Sequence, residues 1–343
     1  MRLNNRFFFL LLFVVFFCVQ QILPAANAIK PKLPLSLIFE AETSIKRAIN
    51  FLISKQLPDG SWGDSECSKT SLCAMAIKQS PGQQDGKDIN AVKRAAEYIV
   101  ACQKKDGSIA RKNLSTTTVY ETAVSTVFLS SLEGESFHPS LKKATNFLLS
   151  VVKNKSFGSL TWRYSFYNRK SCKDSCTARL IKSWVIEALY LSRDLEKTSQ
   201  DFFIKKTSQK TNSQDDCKII SYINLKNLLL LGIKRSDSRT INEYSILSRN
   251  YSIGKQTSGN IFKYYNLSKA LLCYNSDIII DQDSVPHNWR KELVLSIINS
   301  QNKEGAWNFR GESDLLNTSR AIIILELCAG YSIEFFDNLE RNK

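Results

Sequence analysis

One segment recurs along the chain and constrains its fold more than any other feature. The first copy, residues 47–63, reads RAINFLISKQLPDGSWG. Apolar residues follow helical spacing up to Leu52, whereas Pro58 and the Asp-Gly pair after it favour a turn. The segment therefore predicts a helix that ends near Gln56, followed by a turn whose Trp62 folds back on that helix. We call the residues from this glutamine to this tryptophan the turn motif.

Further copies follow at intervals of about 50 residues, a period that is typical of stacked supersecondary repeats. The second copy has isoleucine in place of tryptophan, and the third has valine in place of glutamine. The gap before the last copy leaves room for two more units, so we predict six units in all. The motif positions are Gln56, Gly60, Trp62, Gln103, Gly107, Trp162, Gln301, Gly305 and Trp307.

Each unit contains a second helix after the turn motif, and this helix is the more apolar of the two. Helices that are apolar on nearly all sides are expected to be buried, whereas amphipathic first helices belong on the outside. We therefore predict an all-α fold, an α/α toroid (α6-α6 barrel) of about six helical hairpins. The second helices are predicted at Thr70–Ile77, Val119–Leu129, Thr177–Leu191, Ile219–Leu231, Tyr264–Tyr274 and Thr318–Ala329.

The N-terminus has the features of a signal peptide. Two arginines precede the apolar run 7–19, which at about 13 residues is short for a membrane span, and Ala-x-Ala at 26–28 is a cleavage site. We predict a signal peptide at 1–28 and a single toroid domain at 29–343, long enough for one large core. The protein is then secreted or periplasmic, with no transmembrane domain after cleavage; an uncleaved anchor is the alternative.

The nine cysteines bear on the same compartment. Cys18 lies in the signal segment, and the even number that remains permits disulfides in an exported protein. Cys172 with Cys176 is the closest pair, and Cys67 with Cys73 is the next. Several others lie in apolar helical runs, where a free cysteine behaves as a small hydrophobe. We expect one or two disulfides.

The formal net charge of +15 favours anionic partners such as an anionic surface or a glycan. The lysines are scattered over helix faces and loops, and the chain contains no long basic block. Because no nucleic-acid-binding motif accompanies the charge, we expect no nucleic-acid partner.

The repeated pattern Arg/Lys-Ala-x-x-Phe/Tyr-Leu/Ile-x-x-x-Gln-x-x-Asp/Glu-Gly-Ser/Ala-Trp resembles the Gln-Trp motif of squalene and oxidosqualene cyclases. Their superfamily also includes the β subunits of protein prenyltransferases. Segments 160–164, 184–189 and 262–271 resemble parts of prenyltransferase and squalene-oxidase repeat proteins. The resemblance to this terpenoid cyclase and protein prenyltransferase superfamily, squalene-hopene cyclase-like, implies a toroid and an isoprenoid or other lipid ligand.

The residues that carry chemistry in that superfamily are mostly missing. Its cyclases protonate their substrates with an Asp in Asp-x-Asp-Asp or Asp-Cys-Thr-Ala-Glu and guide cations with aromatic faces, whereas residues 175–179 here read SCTAR. Its prenyltransferases bind zinc through Asp-x-Cys and a later histidine. Residues 174–176 have the local spacing, but His138 and His287 are more simply explained as surface-loop residues. We predict no metal and no cofactor, and the sequence identifies no catalytic residue.

Five side chains are the candidates for a ligand cavity: Tyr120, Glu121, Trp184, Tyr264 and Tyr265. They fall on the predicted inner helices or at their mouths, where aromatic groups can line an apolar cavity. The alternative is that they simply fill the core, as aromatic residues at helical spacing usually do.

Two functional hypotheses follow. The first is a toroid that binds a hydrophobic or isoprenoid ligand without cyclising it, or that serves as a scaffold. The second is an enzyme, either a divergent terpene cyclase (isomerase) or a polysaccharide-active α/α-barrel enzyme. An enzyme needs carboxylates or a Tyr/Arg pair that converge on one cavity.

Overall fold

The computed structural model divides into two units, residues 1–32 and 33–343, and every residue described below belongs to the second. The predicted signal segment, Trp162, Cys172 and the side chain of Cys176 lie outside the described part of the chain. The described residues are 33–64, 66–78, 80, 86–111, 115–154, 174–195, 197–207, 217–253, 261–309 and 313–331.

The described part of the chain is mostly helical, which confirms the predicted all-α class. Its helices are α1 Leu35–Ser54, α2 Cys67–Lys78, α3 Gly86–Ala101, α4 Ser115–Ser130, α5 His138–Lys153, α6 Asp174–Leu191, α7 Lys197–Thr207, α8 Cys217–Leu230, α9 Ser238–Arg249, α10 Ile261–Tyr274, α11 Trp289–Ile298 and α12 Asp314–Ala329. A 3-10 turn, Glu135–Phe137, precedes α5. The strands β1 Ile278–Ile280 and β2 Pro286–Asn288 form an antiparallel hairpin in which Ile279 pairs with His287.

Odd-numbered and even-numbered helices have different surroundings. The even-numbered helices, called inner helices from here on, are buried nearly all round, and α2 and α12 have hardly an exposed position. The odd-numbered outer helices α1, α3 and α5 bury a single stripe. Each inner helix packs against the next inner helix along the chain, and α12 packs against α2. The contacts between inner helices therefore form a closed cycle.

All six inner helices begin about one turn earlier than the apolar pattern indicates, and they end within one residue of the prediction. The first turn of a helix has open N–H groups that need acceptors, and two of these inner helices show how the acceptors are supplied. The Ser313 hydroxyl accepts from the Leu316 N–H at the start of α12, and the Glu121 carboxylate accepts from the Cys67 N–H at the start of α2. The spacing of apolar residues does not reveal such capped first turns.

The turn motif connects neighbouring units. The Gln56 amide donates to the carbonyl of Gly60 in its own turn (2.9 Å) and to the carbonyl of Ala91 on α3 (2.9 Å). The Arg94 guanidinium on α3 donates to the Gln56 side-chain oxygen. Gln56 therefore bonds the first turn motif to α3, the outer helix of the next hairpin. A cap on its own helix would have been only a local contact.

The same arrangement occurs at Gln103 and Gln301, the corresponding glutamines of two other turn motifs. Gln103 donates to the Ser140 carbonyl on α5 (2.8 Å). Gln301 donates to the Ser44 carbonyl on α1 (2.8 Å) and accepts from the Arg47 guanidinium. The last turn motif is thus bonded to α1, the first outer helix. Hydrogen bonds therefore connect the last described hairpin to the first.

Three motif glycines lie against the neighbouring helix so closely that no side chain fits. A Cβ on Gly60, Gly107 or Gly305 would lie 2.4, 2.3 or 2.6 Å from the carbonyl oxygen of Arg94, Lys143 or Arg47 respectively. Their φ angles are +88°, +90° and +87°, which glycine alone adopts readily. Both the turn conformation and the contact between units therefore require glycine at these positions.

Gly305→Ala should lower the free energy of unfolding by about 2 to 3 kcal/mol, because it adds an overlap with the α1 backbone to the cost of a left-handed alanine. Gly232→Ala is the matched control, since Gly232 has a φ of +78° but nothing within 4 Å of its would-be Cβ. It should cost only about 1 kcal/mol. Urea unfolding of both variants measures the difference, and equal losses would show that the contact with α1 contributes nothing.

No disulfide joins Cys67 and Cys73, the second of the closely spaced cysteine pairs. Cys67, Cys73, Cys102, Cys273 and Cys328 are all free thiols. Cys67 and Cys73 both lie on α2, and the Cys73 thiol instead accepts a hydrogen bond from the Ser319 hydroxyl on α12 (3.2 Å). None of the helices that the structure describes combines the length and apolar character needed to cross a membrane.

Candidate functional site

Charged and aromatic side chains meet between three inner helices. The Glu187 carboxylate on α6 accepts from the ammonium groups of Lys226 on α8 and Lys269 on α10, one at each oxygen. Trp184 lies one turn before Glu187, and Tyr265 lies one turn before Lys269. We call these five residues the central cluster. The side chains of its three charged members are at most 5% exposed.

Positively charged side chains lie close to the aromatic rings of the central cluster. Trp184 and Tyr265 are stacked with centroids 6.3 Å apart. The Lys269 nitrogen lies 5.0 Å from the Trp184 centroid and 4.9 Å from that of Tyr265, and the Lys226 nitrogen lies 6.0 Å from Trp184. Arg320 on α12 lies 5.9 Å from the Tyr265 ring. These distances are within the range of cation–π attraction.

The ionisation of the cluster follows from its pairing. Burial by itself would raise the pKa of Glu187, but the charges and hydrogen bonds of Lys226 and Lys269 outweigh burial and hold that pKa below its ordinary value. Burial, with the Glu187 charge as a second cause, raises the pKa of the Tyr265 phenol. The pairing thus favours the ionised form of Glu187, whereas burial favours the neutral phenol of Tyr265, which accepts a hydrogen bond from Lys269 (3.2 Å).

The structure brings three of the five candidate cavity residues together. Tyr120 on α4 meets Trp184 edge to face at 6.3 Å, and Trp184 stacks on Tyr265. Tyr264 is buried near Tyr222, whose phenol pKa it raises as a cause second to burial. The ligand role of these residues remains a prediction.

Glu121, the remaining candidate, has a visible structural partner. Its carboxylate accepts from the Cys67 N–H (3.1 Å) and thereby caps α2. Burial raises its pKa, and hydrogen bonds from Thr117 and Cys67 oppose that rise.

The sequence reasoning missed the charged members of the site, Glu187, Lys226 and Lys269. A signal was available: each is a lone charged residue within an otherwise apolar helical run, as in WVIEALY, INLKNLLL and NLSKALL. Charges are rarely buried unless they are paired. Three such runs in one predicted ring of buried helices therefore point to a shared ion-pair cluster.

His287 was predicted to be a surface-loop residue, and this was wrong in part. It lies on β2, half-buried, with its ring nitrogens 2.9 Å from Glu292 and 3.1 Å from Asp281. Burial opposes protonation, but the two carboxylates outweigh it and raise the pKa of His287. Within the described ranges, no three His, Cys, Asp or Glu side chains are grouped so as to hold a metal ion.

A pocket of about 310 Å³ lies apart from the central cluster. Ile77, Asp88, Val92, Leu132 and Phe137 are among its lining residues, and none of the five candidate cavity residues is. The pocket is thus formed by the ends of the first two hairpins, away from the aromatic cluster.

Glu326 on α12 is a second unusual acid. Its residue exposure is 0%, and neither carboxyl oxygen has a hydrogen-bond partner among the described residues. Burial raises its pKa well above the ordinary value and so favours the protonated form in the folded protein. The unfolded chain ionises near the ordinary pKa, and stability is therefore lost as the pH rises above that value.

Glu326→Gln should remove this pH-dependent loss. We expect the variant to be more stable than the parent by about 1 to 3 kcal/mol at about pH 7.5, and about equally stable at about pH 4. Urea unfolding at the two pH values provides the measurement. A variant that is less stable at the higher pH would mean that the carboxyl is ionised and paired in the folded protein.

Comparison with known proteins finds solved structures whose fold is similar to that of this chain. No family model and no curated protein matches the chain. Two structures of the type II terpene cyclase MstE from Scytonema are similar, one in complex with merosterolic acid A (product), TM-score 0.57, and one with geranylgeranyl dihydroxybenzoate (substrate), TM-score 0.56. Each is 12% identical and covers 88% of this chain and 100% of the cyclase.

This similarity shows the fold alone. The chain has a terpene cyclase-like fold. At 12% identity the comparison carries over no residue role from the cyclase to this chain.

Proposed function

We propose that this chain is an exported α/α toroid of six hairpin repeats that binds a hydrophobic, isoprenoid-type ligand between its inner helices without cyclising it. The closed cycle of inner-helix contacts and the bonding of the last turn motif to α1 support the toroid. The predicted signal peptide at 1–28 supports export.

One observation supports binding without cyclisation: lysine ammonium groups already lie over the faces of the aromatic rings. A cyclase stabilises a carbocation with open aromatic faces and negative charge. In the central cluster the Trp184 and Tyr265 faces already carry Lys226 and Lys269. Glu187 is neutralised by the same lysines. A carbocation here would meet net positive charge, which destabilises it.

An isoprenoid-type ligand is the class that fits the remaining features. Tyr120, Trp184 and Tyr265 offer buried aromatic surface from three inner helices. The similar cyclase structures hold geranylgeranyl dihydroxybenzoate or merosterolic acid A. A ligand with a polyprenyl or polycyclic tail and one polar group would pack its tail beside these aromatic side chains and place its polar group near Lys226 and Lys269.

The test is native mass spectrometry of the chain purified from its exported compartment, with solvent extraction of bound material. We expect a co-purified isoprenoid or triterpenoid that Tyr265→Leu reduces and Tyr264→Leu retains. These residues are adjacent and equally buried, but only Tyr265 belongs to the central cluster. A folded wild-type protein that is empty and takes up no added geranylgeraniol or squalene would refute the proposal.

A divergent cyclase is the second candidate, and Glu326 favours it. Burial favours the protonated form of this carboxyl group, which is the form that a general acid requires. Incubation with squalene or a geranylgeranyl-substituted phenol would reveal a cyclic product, which should disappear in Glu326→Gln. No product from the wild-type protein would eliminate this candidate.

A further inference from the structure

A histidine lies between two carboxylates where the β1–β2 hairpin meets α11. The Nδ1 atom of His287 on β2 lies 2.9 Å from an oxygen of Glu292 on α11, and its Nε2 atom lies 3.1 Å from an oxygen of Asp281, which follows β1. The Tyr251 phenol donates to the other oxygen of Glu292 (3.0 Å), and its ring is tilted against the imidazole at a centroid distance of 4.8 Å. We call these four residues the histidine cluster.

The geometry of the histidine cluster favours a ring with a proton on each nitrogen. An ionised carboxylate only accepts hydrogen bonds, and a neutral imidazole has a single N–H to donate. Both contacts of His287 are therefore hydrogen bonds only when the ring is doubly protonated. The backbone N–H groups of Val285 and Asp283 also donate to the Asp281 carboxylate, at 2.9 Å each. The bond from Val285 is the largest cause that lowers the pKa of Asp281, so its ionised form is favoured.

Each neighbouring element contributes one group to the histidine cluster. Asp281 belongs to the hairpin turn, Glu292 to α11, and Tyr251 to the segment after α9. Burial, followed by the charge of Glu292, raises the pKa of Tyr251 and favours its neutral phenol. Loss of the proton from His287 would leave two carboxylates beside a neutral ring and turn a nitrogen lone pair toward one of them. Deprotonation therefore replaces an attraction by a repulsion.

The hairpin itself places one β1 side chain in the core. Each strand has three residues, and a two-stranded hairpin is at best marginally stable by itself. Ile279 is fully buried, whereas Ile278 and Ile280 are 45% and 48% exposed. The Ser248 hydroxyl on α9 donates to the Ile280 carbonyl. The attachment of the hairpin therefore depends on its polar contacts with α9 and α11 as well as on Ile279.

We propose that the protonation of His287 controls how firmly the β1–β2 hairpin is held on α11. The doubly protonated ring bonds the hairpin turn to the helix. The neutral ring loses its hydrogen bond to one of the two carboxylates, so the hairpin opens more often and exposes Ile279. The proposal is independent of ligand binding in the central cluster.

The direction of the pH dependence follows from the ring and its two carboxylates. Burial opposes protonation, but the bonds and charges of Asp281 and Glu292 outweigh burial and raise the pKa of His287 above its ordinary value. The hairpin is therefore held fully below that ordinary value, and its attachment weakens as the pH rises through the raised pKa of the folded protein. In acid the attachment persists until the pH falls through the lowered pKa of Asp281.

Hydrogen exchange of the full chain, followed by mass spectrometry and expressed as protection relative to an unfolded peptide, tests the proposal. Between about pH 5.5 and about pH 9, peptides from 278–288 should lose about tenfold more protection than peptides from α4. In His287→Gln this pH dependence should disappear, because glutamine does not titrate. His138→Gln is the matched control, since His138 is the other histidine of the chain and lies at the start of α5. It should leave the profile of the hairpin unchanged.

Glu292→Gln adds a readout that a merely structural role would not move. It removes one carboxylate beside the ring, so the loss of protection should move to lower pH. Three results would overturn the proposal: a parent hairpin that loses no more protection than α4, a His287→Gln variant that keeps the pH dependence of the parent, and a Glu292→Gln profile that coincides with that of the parent. The parent and Glu292→Gln decide the matter even if His287→Gln fails to fold.

Discussion

Replacement of Trp62 or Trp307 by alanine should lower the free energy of unfolding by about 3 to 5 kcal/mol. Both indoles are fully buried, and each donates its N–H to the end of the preceding outer helix, to Leu52 at 2.7 Å and to Ile297 at 2.8 Å. Alanine leaves a cavity between the outer and inner helix and removes a partner from a helix-end carbonyl.

The measurement is urea and thermal unfolding of both variants beside a control from the same turn. Leu57→Ala is a suitable control, because Leu57 is 38% exposed and should change stability by no more than about 0.5 kcal/mol. If Trp62→Ala and Trp307→Ala unfold at the same urea concentration as the parent, the turn motif is not a packing centre and the repeat interpretation is wrong.

Glu187→Gln should cost a similar amount, about 3 to 5 kcal/mol, because it leaves two ammonium groups buried without their shared carboxylate. Lys226 and Lys269 both bond to Glu187. The pKa of Glu187 is below its ordinary value, so this stabilisation is present above the unfolded pKa and is lost as the pH falls through the folded one. The parent should therefore lose stability in acid more steeply than the variant.

A triple variant separates loss of charge pairing from loss of packing. Glu187→Gln, Lys226→Met and Lys269→Met together remove all three charges and keep similar side-chain volumes. Because apolar replacements of a buried ion triad are often neutral or stabilising, this variant should regain most of the stability that Glu187→Gln alone loses. A triple variant as unstable as the single one would show that the cluster stabilises the protein through packing rather than charge.

The same triple variant bears on function. If the lysines hold a polar group of a bound ligand, their removal should reduce ligand occupancy even in a stable protein. A stable variant that keeps its ligand would place the polar group elsewhere.

Most of the secondary structure was predictable, because apolar spacing and turn residues are local signals. Each inner helix ends within one residue of its predicted end, whereas the polar first turns capped by Ser313 or Glu121 were missed. The acceptor that caps a helix can come from another element, as Glu121 does for α2, and spacing along one helix does not reveal it.

The candidate site was predicted less well. Aromatic side chains on the inner helices were identified, and Tyr120, Trp184 and Tyr265 do meet. Tyr264 and Tyr265 are adjacent in sequence, but rotation by one residue on a helix turns their side chains to different neighbours. The choice between them depends on the orientation of α10 relative to α6 and α8.

The turn motif was predictable from the chain, because the end of its helix and its need for glycine come from local conformational preferences that act wherever the segment occurs. The helix to which each turn motif bonds was not predictable from the sequence. Gln56 bonds to α3, Gln301 bonds to α1, and Glu187 collects lysines from two other helices only once the helices are packed. Contacts between distant parts of a chain depend on relative helix position and rotation, and those are properties of the assembled structure.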